Sequence, residues 1–173
     1  MVGGEIMADR PDLSLVRRLK AKGRYEEAAR QLKAWLGADP ENPLLLYEMA
    51  LVLDNQGYEE QAIPYYQDAL SRDLDPLHRV DALLGLGSSL RVVGRVGDSL
   101  QVLSQAIGEF PQHTALKVFY AVTLERMGNF GDAISKLLEV IVENGRGESL
   151  DQYRPTLRYL EKHRHDGREC DRD

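Results

Sequence analysis

The chain has 173 residues, of which 43% are hydrophobic, a formal net charge of −6 and a single cysteine. A chain of this length can fold as one domain or one short array of repeats without covalent staples, and one cysteine excludes an intrachain disulfide. The acidic balance disfavours a nucleic-acid partner, and no stretch approaches the roughly 18 apolar residues of a membrane-spanning helix. We therefore expect a soluble cytoplasmic protein with neither a nucleic-acid nor a membrane partner.

Residues 1–11 are predicted to be a flexible N-terminus. After them, one pattern occurs four times along the chain: a glycine followed five residues later by a small residue. The pairs are Gly23–Ala28, Gly57–Ala62, Gly94–Ser99 and Gly128–Ala133, with glycines 34, 37 and 34 residues apart. Apolar residues recur at helical spacing on both sides of each glycine, and this period indicates stacked helix pairs. Each glycine is predicted to end a first helix in the left-handed conformation, and each small residue lets the second helix cross closely.

Prolines and acidic residues mark the predicted helix boundaries. Asp75 is predicted to be the N-cap of a helix whose first residue is Pro76. We expect this helix, from about 76 to 93, to be longer than its counterparts in the other repeats. Pro64 lies inside a predicted second helix, where its missing N–H predicts a kink or a late helix start. The "GLG" at 85–87 belongs to a helical pattern, which indicates a packing feature and not a phosphate-binding loop.

The pattern divides the chain into four repeats and a terminal helix. The repeats cover about 12–41, 42–74, 75–112 and 113–146, and a helix over 148–163 is predicted to cap the apolar end of the array. The charged residues 164–173 are predicted to be a disordered tail. His163, His165, Asp166 and Cys170 are too weakly patterned to predict a metal site, and no metal or cofactor is expected.

These features resemble the tetratricopeptide repeat family from about Asp12 to Asn144. The residues that carry the resemblance are the four glycine and small-residue pairs, Leu86-Gly87 in repeat three, and Pro40 and Pro111 at the ends of repeats one and three. The second half also resembles a bacterial tetratricopeptide subgroup of unassigned function. The resemblance implies an all-α, right-handed superhelical solenoid of about four helix pairs. In this family the first helices commonly line a concave groove that binds peptides or extended segments, without catalysis.

The resemblance places the groove residues on the first helices. They are expected to be Arg17, Lys20, Leu44, Tyr47, Leu51, Asp54, Asn55, Leu84, Ser88, Arg91, Val118, Val122 and Glu125, with Asp81 also on this face. Some members of the family clamp a partner's C-terminal carboxylate with Lys, Asn and Arg. The matching positions here are Leu13, Arg17, Glu48, Leu51, Asp81 and Gly85, of which only Arg17 has a suitable group, so that ligand is disfavoured.

Two functional hypotheses remain open from the sequence. The first is a non-catalytic adaptor or scaffold whose groove binds a protein or peptide partner of unknown identity. The second is a homo-oligomer in which basic repeat one, with five basic residues between 17 and 24, meets acidic repeat two. An enzyme is not expected, because the chain contains no P-loop, no G-x-G-x-x-G after a strand and no H-E-x-x-H motif.

Overall fold

A computed structural model describes residues 11–163, and this part of the chain consists of nine α-helices and contains no strand. The all-helical prediction is therefore confirmed. The residues before and after this range, which include most of the predicted flexible N-terminus and the whole predicted tail, lie outside the description. The helices are α1 Leu13–Ala21, α2 Tyr25–Ala38, α3 Pro43–Asp54, α4 Glu59–Leu70, α5 Pro76–Val92, α6 Val96–Glu109, α7 Thr114–Arg126, α8 Phe130–Asn144 and α9 Glu148–His163.

The four predicted turn glycines all adopt the left-handed conformation. Gly23, Gly57, Gly94 and Gly128 have φ angles of 70°, 78°, 84° and 80°. At the second turn the Gly57 N–H donates to the Asp54 carbonyl at 3.0 Å, and the Tyr58 N–H donates to the Leu53 carbonyl at 3.0 Å. The same pair of bonds closes the other three turns, so each first helix ends in a Schellman motif.

The helices form two compact units, one up to Ser89 and the other from Leu90, and α5 runs through the boundary. We call them the N-terminal and C-terminal modules. In the N-terminal module α1 packs on α2, α2 on α3 and α3 on α4. Val16, Leu32, Leu45 and Val52 are at most 1% exposed in this core. Ala28 and Ala62 are fully buried, as expected for residues where two helices cross.

In the C-terminal module α6 packs on α7, α7 on α8 and α8 on α9. Leu103 and Leu116 are fully buried. Ser99, which occupies the position that alanine holds in the other repeats, is buried 3.4 Å from the hydroxyl of Thr123 on α7. The Thr123 hydroxyl also donates to the Phe119 carbonyl at 2.8 Å. A buried serine is tolerated here because a polar partner lies across the helix interface.

Two prolines lie inside helices of the described chain. Pro64 is exposed and lies within α4, which begins at Glu59, so the alternative of a late helix start is wrong. Pro155 lies within α9, and that helix continues beyond it to His163. An exposed position such as that of Pro64 limits the cost of proline, because the carbonyl that loses its helical donor can bond to water.

The terminal helix α9 packs against α8, and Arg154 of α9 forms hydrogen bonds at the C-terminal end of α8. The guanidinium of Arg154 donates to the carbonyls of Val142 and Gly145, the latter at 2.6 Å. These carbonyls have no donor within α8, and a cation is favourable at this end of the helix dipole. Phe130 and Ile134 at the start of α8 remain 59% and 42% exposed, so the cap covers only part of the apolar face.

Candidate interaction face of the N-terminal module

Three first helices lie side by side in the N-terminal module and carry most of the predicted groove residues. Lys20 of α1 contacts Glu48 of α3, and Asp54 of α3 contacts Ser89 of α5. Positions three or four apart on one helix share a face. We call the residues with this spacing the first-helix face, and they are Arg17 and Lys20 on α1, Tyr47, Leu51 and Asp54 on α3, and Asp81, Leu84 and Ser88 on α5.

One basic residue of this face is already paired within the chain. The Lys20 ammonium lies 2.6 Å from a carboxylate oxygen of Glu48. The side chain of Glu48 is only 4% exposed and that of Lys20 is 20% exposed. The pair joins α1 to α3 and neutralises a buried carboxylate, so Lys20 has a structural role that its predicted assignment to the groove did not include. Arg17, one turn away, is exposed.

Tyr47 forms the centre of the first-helix face but lies almost entirely beneath the surface, with 5% of its area exposed. Its ring lies edge-on to His78 at a centroid distance of 5.4 Å and tilted against Tyr66 at 6.5 Å. Burial raises the pKa of the Tyr47 hydroxyl, and the negative charge of Asp81 raises it further. This hydroxyl therefore stays protonated and can donate a hydrogen bond at physiological pH.

Asp54 is the centre of a polar network at the far end of α3. Its two carboxylate oxygens accept hydrogen bonds from the Tyr66 hydroxyl at 3.1 Å and the Ser89 hydroxyl at 3.2 Å. Burial raises the pKa of the Asp54 carboxyl, and the two hydrogen bonds oppose that effect. A Cβ at Gly85 would lie 2.5 Å from the Tyr66 ring, so glycine is needed there to let this ring pass over α5. This contact explains the predicted packing role of the "GLG" segment.

The start of α5 is held by a capping aspartate. Asp75 accepts hydrogen bonds from the backbone N–H groups of Leu77 and His78, each at 3.2 Å. Its other carboxylate oxygen lies 2.5 Å from the His78 ring nitrogen Nδ1. These bonds lower the pKa of the Asp75 carboxyl, with the His78 side chain as the first cause. The cap therefore holds His78 against Tyr47.

The remaining predicted groove residues occupy different environments. Leu44 is half-buried and Asn55, the C-cap of α3, is exposed. In the C-terminal module Val118 is half-buried, Val122 is 39% exposed and Glu125 is exposed. The Nε of Arg91 is buried and has no hydrogen-bond partner within residues 11–163. Val118, Val122 and Glu125 share one face of α7, and no hydrogen bond or ion pair among the described residues joins them to Arg91.

Two depressions in the N-terminal module lie away from the first-helix face. These depressions, of about 300 and 400 Å³, share Arg24, Glu27 and Arg30 along the start of α2. The Arg24 guanidinium is paired with the Glu27 carboxylate, and both side chains are more than a third exposed. Within residues 11–163 no group of three or more metal-ligating side chains occurs, and no helix is long and apolar enough to cross a membrane.

Comparison with known proteins identifies the class to which this arrangement belongs. A family model described as the tetratrico peptide repeat matches residues 43–158, which is about two thirds of the chain. The chain therefore belongs to the tetratricopeptide repeat family, whose members are generally non-catalytic protein–protein interaction modules. Superkiller protein 3 of Saccharomyces cerevisiae is 32% identical over 91 residues, and this match covers 53% of the chain and 6% of the yeast protein.

Solved structures confirm the fold class. YrrB, described as a TPR protein with an unusual peptide-binding site, is 21% identical, with a TM-score of 0.67 over 82% of this chain and 71% of YrrB. MamA from Desulfovibrio magneticus RS-1 is 18% identical, with a TM-score of 0.62 over 88% of this chain and 94% of that one. A tetratricopeptide repeat protein from Parabacteroides merdae ATCC 43184 is 18% identical, with a TM-score of 0.61 over 87% of this chain and 61% of that one.

Proposed function

We propose that this protein is a non-catalytic adaptor or scaffold that binds a segment of another protein on the first-helix face of its N-terminal module. The observation that supports this most directly is the composition of that face. Half-buried Leu51 and Leu84 lie among exposed Arg17 and Asp81, whose charges have no ion-pair partner among the described residues. Apolar area surrounded by unpaired polar groups is typical of a surface that binds another polypeptide.

A polypeptide suits this face better than a small substrate. The carboxylates of Glu48 and Asp54 are engaged in structural contacts, since Glu48 pairs with Lys20 and Asp54 accepts from Tyr66 and Ser89. A general base or a nucleophile needs a free group poised toward a substrate, which these are not. The peptide-binding site named for the structurally similar YrrB supports the same class of ligand.

The proposal is tested by affinity capture with a charge-reversed face. The double variant Arg17→Glu with Asp81→Lys changes two exposed residues and leaves the net charge of the chain unchanged. The matched control, Lys33→Glu with Glu60→Lys, reverses two exposed charges on the second helices α2 and α4. We expect proteins captured by wild type and the control to be lost with the face variant. Equal capture by all three proteins would refute binding at this face.

A second candidate function is self-association, which the uneven charge favours. Residues 1–40 carry 8 basic and 6 acidic side chains, whereas residues 41–75 carry 1 basic and 8 acidic side chains. Attraction between these segments of two copies would be screened by salt. Sedimentation at low and at high ionic strength separates the two functions: an oligomer that dissociates in salt supports self-association, and a monomer in both supports the adaptor.

We further propose a cytoplasmic location and a bacterial source. The single cysteine supports a reducing compartment, because disulfides form and persist in secreted proteins and this chain cannot form one within itself. The resemblance of the second half of the chain to a bacterial subgroup of the family supports the source. Fractionation of cells that express the tagged protein tests the location, and recovery in the membrane or extracellular fraction would contradict it.

A further inference from the structure

The first-helix face contains a hydrogen-bond donor that nothing in the described chain uses. Tyr47 is 95% buried, and its hydroxyl has no hydrogen-bond partner among residues 11–163. The oxygen of this hydroxyl is not fully enclosed by the protein, so it reaches the surface of the face. A buried ring with an unpartnered polar tip is a group that a ligand can engage without moving the protein.

Two carboxylates on the same face lack a cationic partner. Asp81 is exposed and forms no ion pair in the described chain, although its negative charge acts on both Tyr47 and Tyr66. Asp54 accepts hydrogen bonds from two neutral hydroxyls. Neighbouring acids are already paired, Glu48 with Lys20 and Asp75 with His78. The local charge available to a ligand is therefore negative at these two positions.

The separation of the two carboxylates along the axis of α5 follows from the positions of Asp81 and Ser89 on that helix. Asp81 lies eight residues before Ser89, the residue that hydrogen-bonds to Asp54, and eight residues of helix span about 12 Å. An extended polypeptide covers about 12 Å in three to four residues, at roughly 3.3 Å each. Half-buried Leu51 and Leu84 belong to the same face between these positions.

We propose that the occupant of the first-helix face is an extended segment of another protein with two basic side chains three or four residues apart and an apolar side chain between them. One basic group bonds to Asp81 beside the Tyr47 hydroxyl, and the other lies against Asp54. The apolar side chain packs on Leu51 and Leu84. This inference rests on the proposed function, and it specifies the chemistry of the ligand.

Physical chemistry favours this ligand over an acidic one. A hydrogen bond between a lysine or arginine and a carboxylate is stronger than one between neutral groups. Asp54 carries its charge in a half-buried position, and a nearby cation would offset the cost of that burial. An acidic segment would place like charges against Asp54 and Asp81, which opposes binding. The part of the face around Asp54 and Asp81 therefore disfavours acidic side chains.

The test uses a phage library of random twelve-residue peptides selected on the full-length protein, followed by affinity measurements with the selected peptides. We expect enrichment of pairs of lysine or arginine three or four residues apart around an apolar residue. Asp81→Asn and Asp54→Asn should each weaken binding about tenfold, and Tyr47→Phe should weaken it about threefold. Glu60→Gln, an exposed change on α4, is the control and should leave the affinity unchanged.

The other outcomes are distinguishable. Selected peptides that lack the basic pair, or that bind the Asp81→Asn protein as tightly as wild type, overturn this inference and leave the proposed function in place. Failure to select any peptide overturns both. If wild type forms an oligomer that basic peptides dissociate, the occupant is the basic first repeat of a second copy, and the inference of a separate partner is wrong. Asp81 is exposed, so loss of folding would not obscure the Asp81→Asn result.

Discussion

At the residue scale, the turn glycines contribute through their backbone alone. A Cβ added at Gly57 would meet nothing within 4 Å, yet the residue has a φ of 78°. Alanine at this position would be strained without clashing. We predict that Gly57→Ala lowers the free energy of unfolding by about 1–2 kcal/mol, measured by urea denaturation.

Gly37 is the matched control for this prediction. It lies inside α2 and is exposed, and a Cβ added there would also meet nothing within 4 Å. Because helical glycine is entropically unfavourable, Gly37→Ala should leave stability unchanged or raise it by up to about 1 kcal/mol. Equal effects of the two substitutions would show that the left-handed turn is not what requires glycine at 57.

Asp54 is a residue whose charge opposes folding. Burial raises its pKa in the folded state above the ordinary value of 3.8, and the charge of Glu59 raises it slightly further. Folding therefore favours the protonated form of Asp54. This contribution to stability is complete below the pKa that Asp54 has in the unfolded chain, and it is lost as the pH rises through the higher pKa that Asp54 has in the folded protein. Asn can still accept from Tyr66 and bond to Ser89, so we predict that Asp54→Asn raises stability by up to about 1 kcal/mol at pH 7.

Denaturation across pH measures this effect. The advantage of the Asp54→Asn protein should shrink as the pH is lowered toward the raised pKa of Asp54 in the folded state, because the wild-type carboxyl then becomes protonated. A variant that is less stable than wild type at pH 7 would show that the carboxylate's two hydrogen bonds outweigh its burial. Asp73→Asn, at an exposed position between α4 and α5 that forms no ion pair among the described residues, supplies the control for the change of charge alone.

The sequence predicted which residues share the first-helix face but not how deeply each lies. The family resemblance placed Tyr47 on that face, yet its ring is covered by His78 and Tyr66 from two other helices. The role of Tyr66 depends on the space left by Gly85, 19 positions later in the chain. The spacing of apolar residues predicts which side of a helix a residue occupies. How deeply that residue is buried depends on side chains from neighbouring helices, and a single sequence does not show those contacts.

At the scale of the helices, the Lys20–Glu48 pair connects α1 to α3. Removing the cation would leave a carboxylate with 4% exposure unpaired. We predict that Lys20→Met lowers the free energy of unfolding by about 3 kcal/mol, because an unpaired buried charge is costly. Chemical denaturation with α-helical circular dichroism as the signal measures the loss.

Two further variants isolate the cause. Arg18→Met breaks the exposed pair between Arg18 and Asp12 and should change stability by less than about 1 kcal/mol. The double variant Lys20→Met with Glu48→Met removes both charges and should recover much of the loss. If Lys20→Met costs no more than Arg18→Met, the contact between α1 and α3 does not depend on this ion pair.

At the scale of the whole molecule, the principal packing of the described chain is between consecutive helices within each module. Leu116 of α7 is fully buried in the C-terminal module. We predict that Leu116→Ala costs about 2–5 kcal/mol and that hydrogen exchange rises most in α6, α7 and α8. Exchange in α1 and α2 should rise much less, since in repeat arrays stability is carried by neighbouring elements. A uniform rise along the chain would indicate a single cooperative unit.

The fold as a whole was more predictable than its polar contacts. The 34-residue period and the four glycines predicted helix pairs, and α5 runs from Pro76 to Val92 close to the predicted range of 76–93. The contact between Ser99 and Thr123, 24 residues apart, could not be foreseen. Repeated features appear four times and reinforce one another, whereas a polar contact that occurs once leaves no pattern.

The Schellman turns have a consequence for how such a chain can change length over evolution. Each turn is closed by hydrogen bonds that span no more than six consecutive residues, and its conformation requires only one glycine. A gene segment that encodes one 34-residue period therefore includes the glycine that ends the first helix and the small residue at which the two helices cross. Recombination can duplicate or delete such a segment in frame without opening a neighbouring turn, which lets the array of helix pairs lengthen or shorten while each remaining pair keeps its local structure.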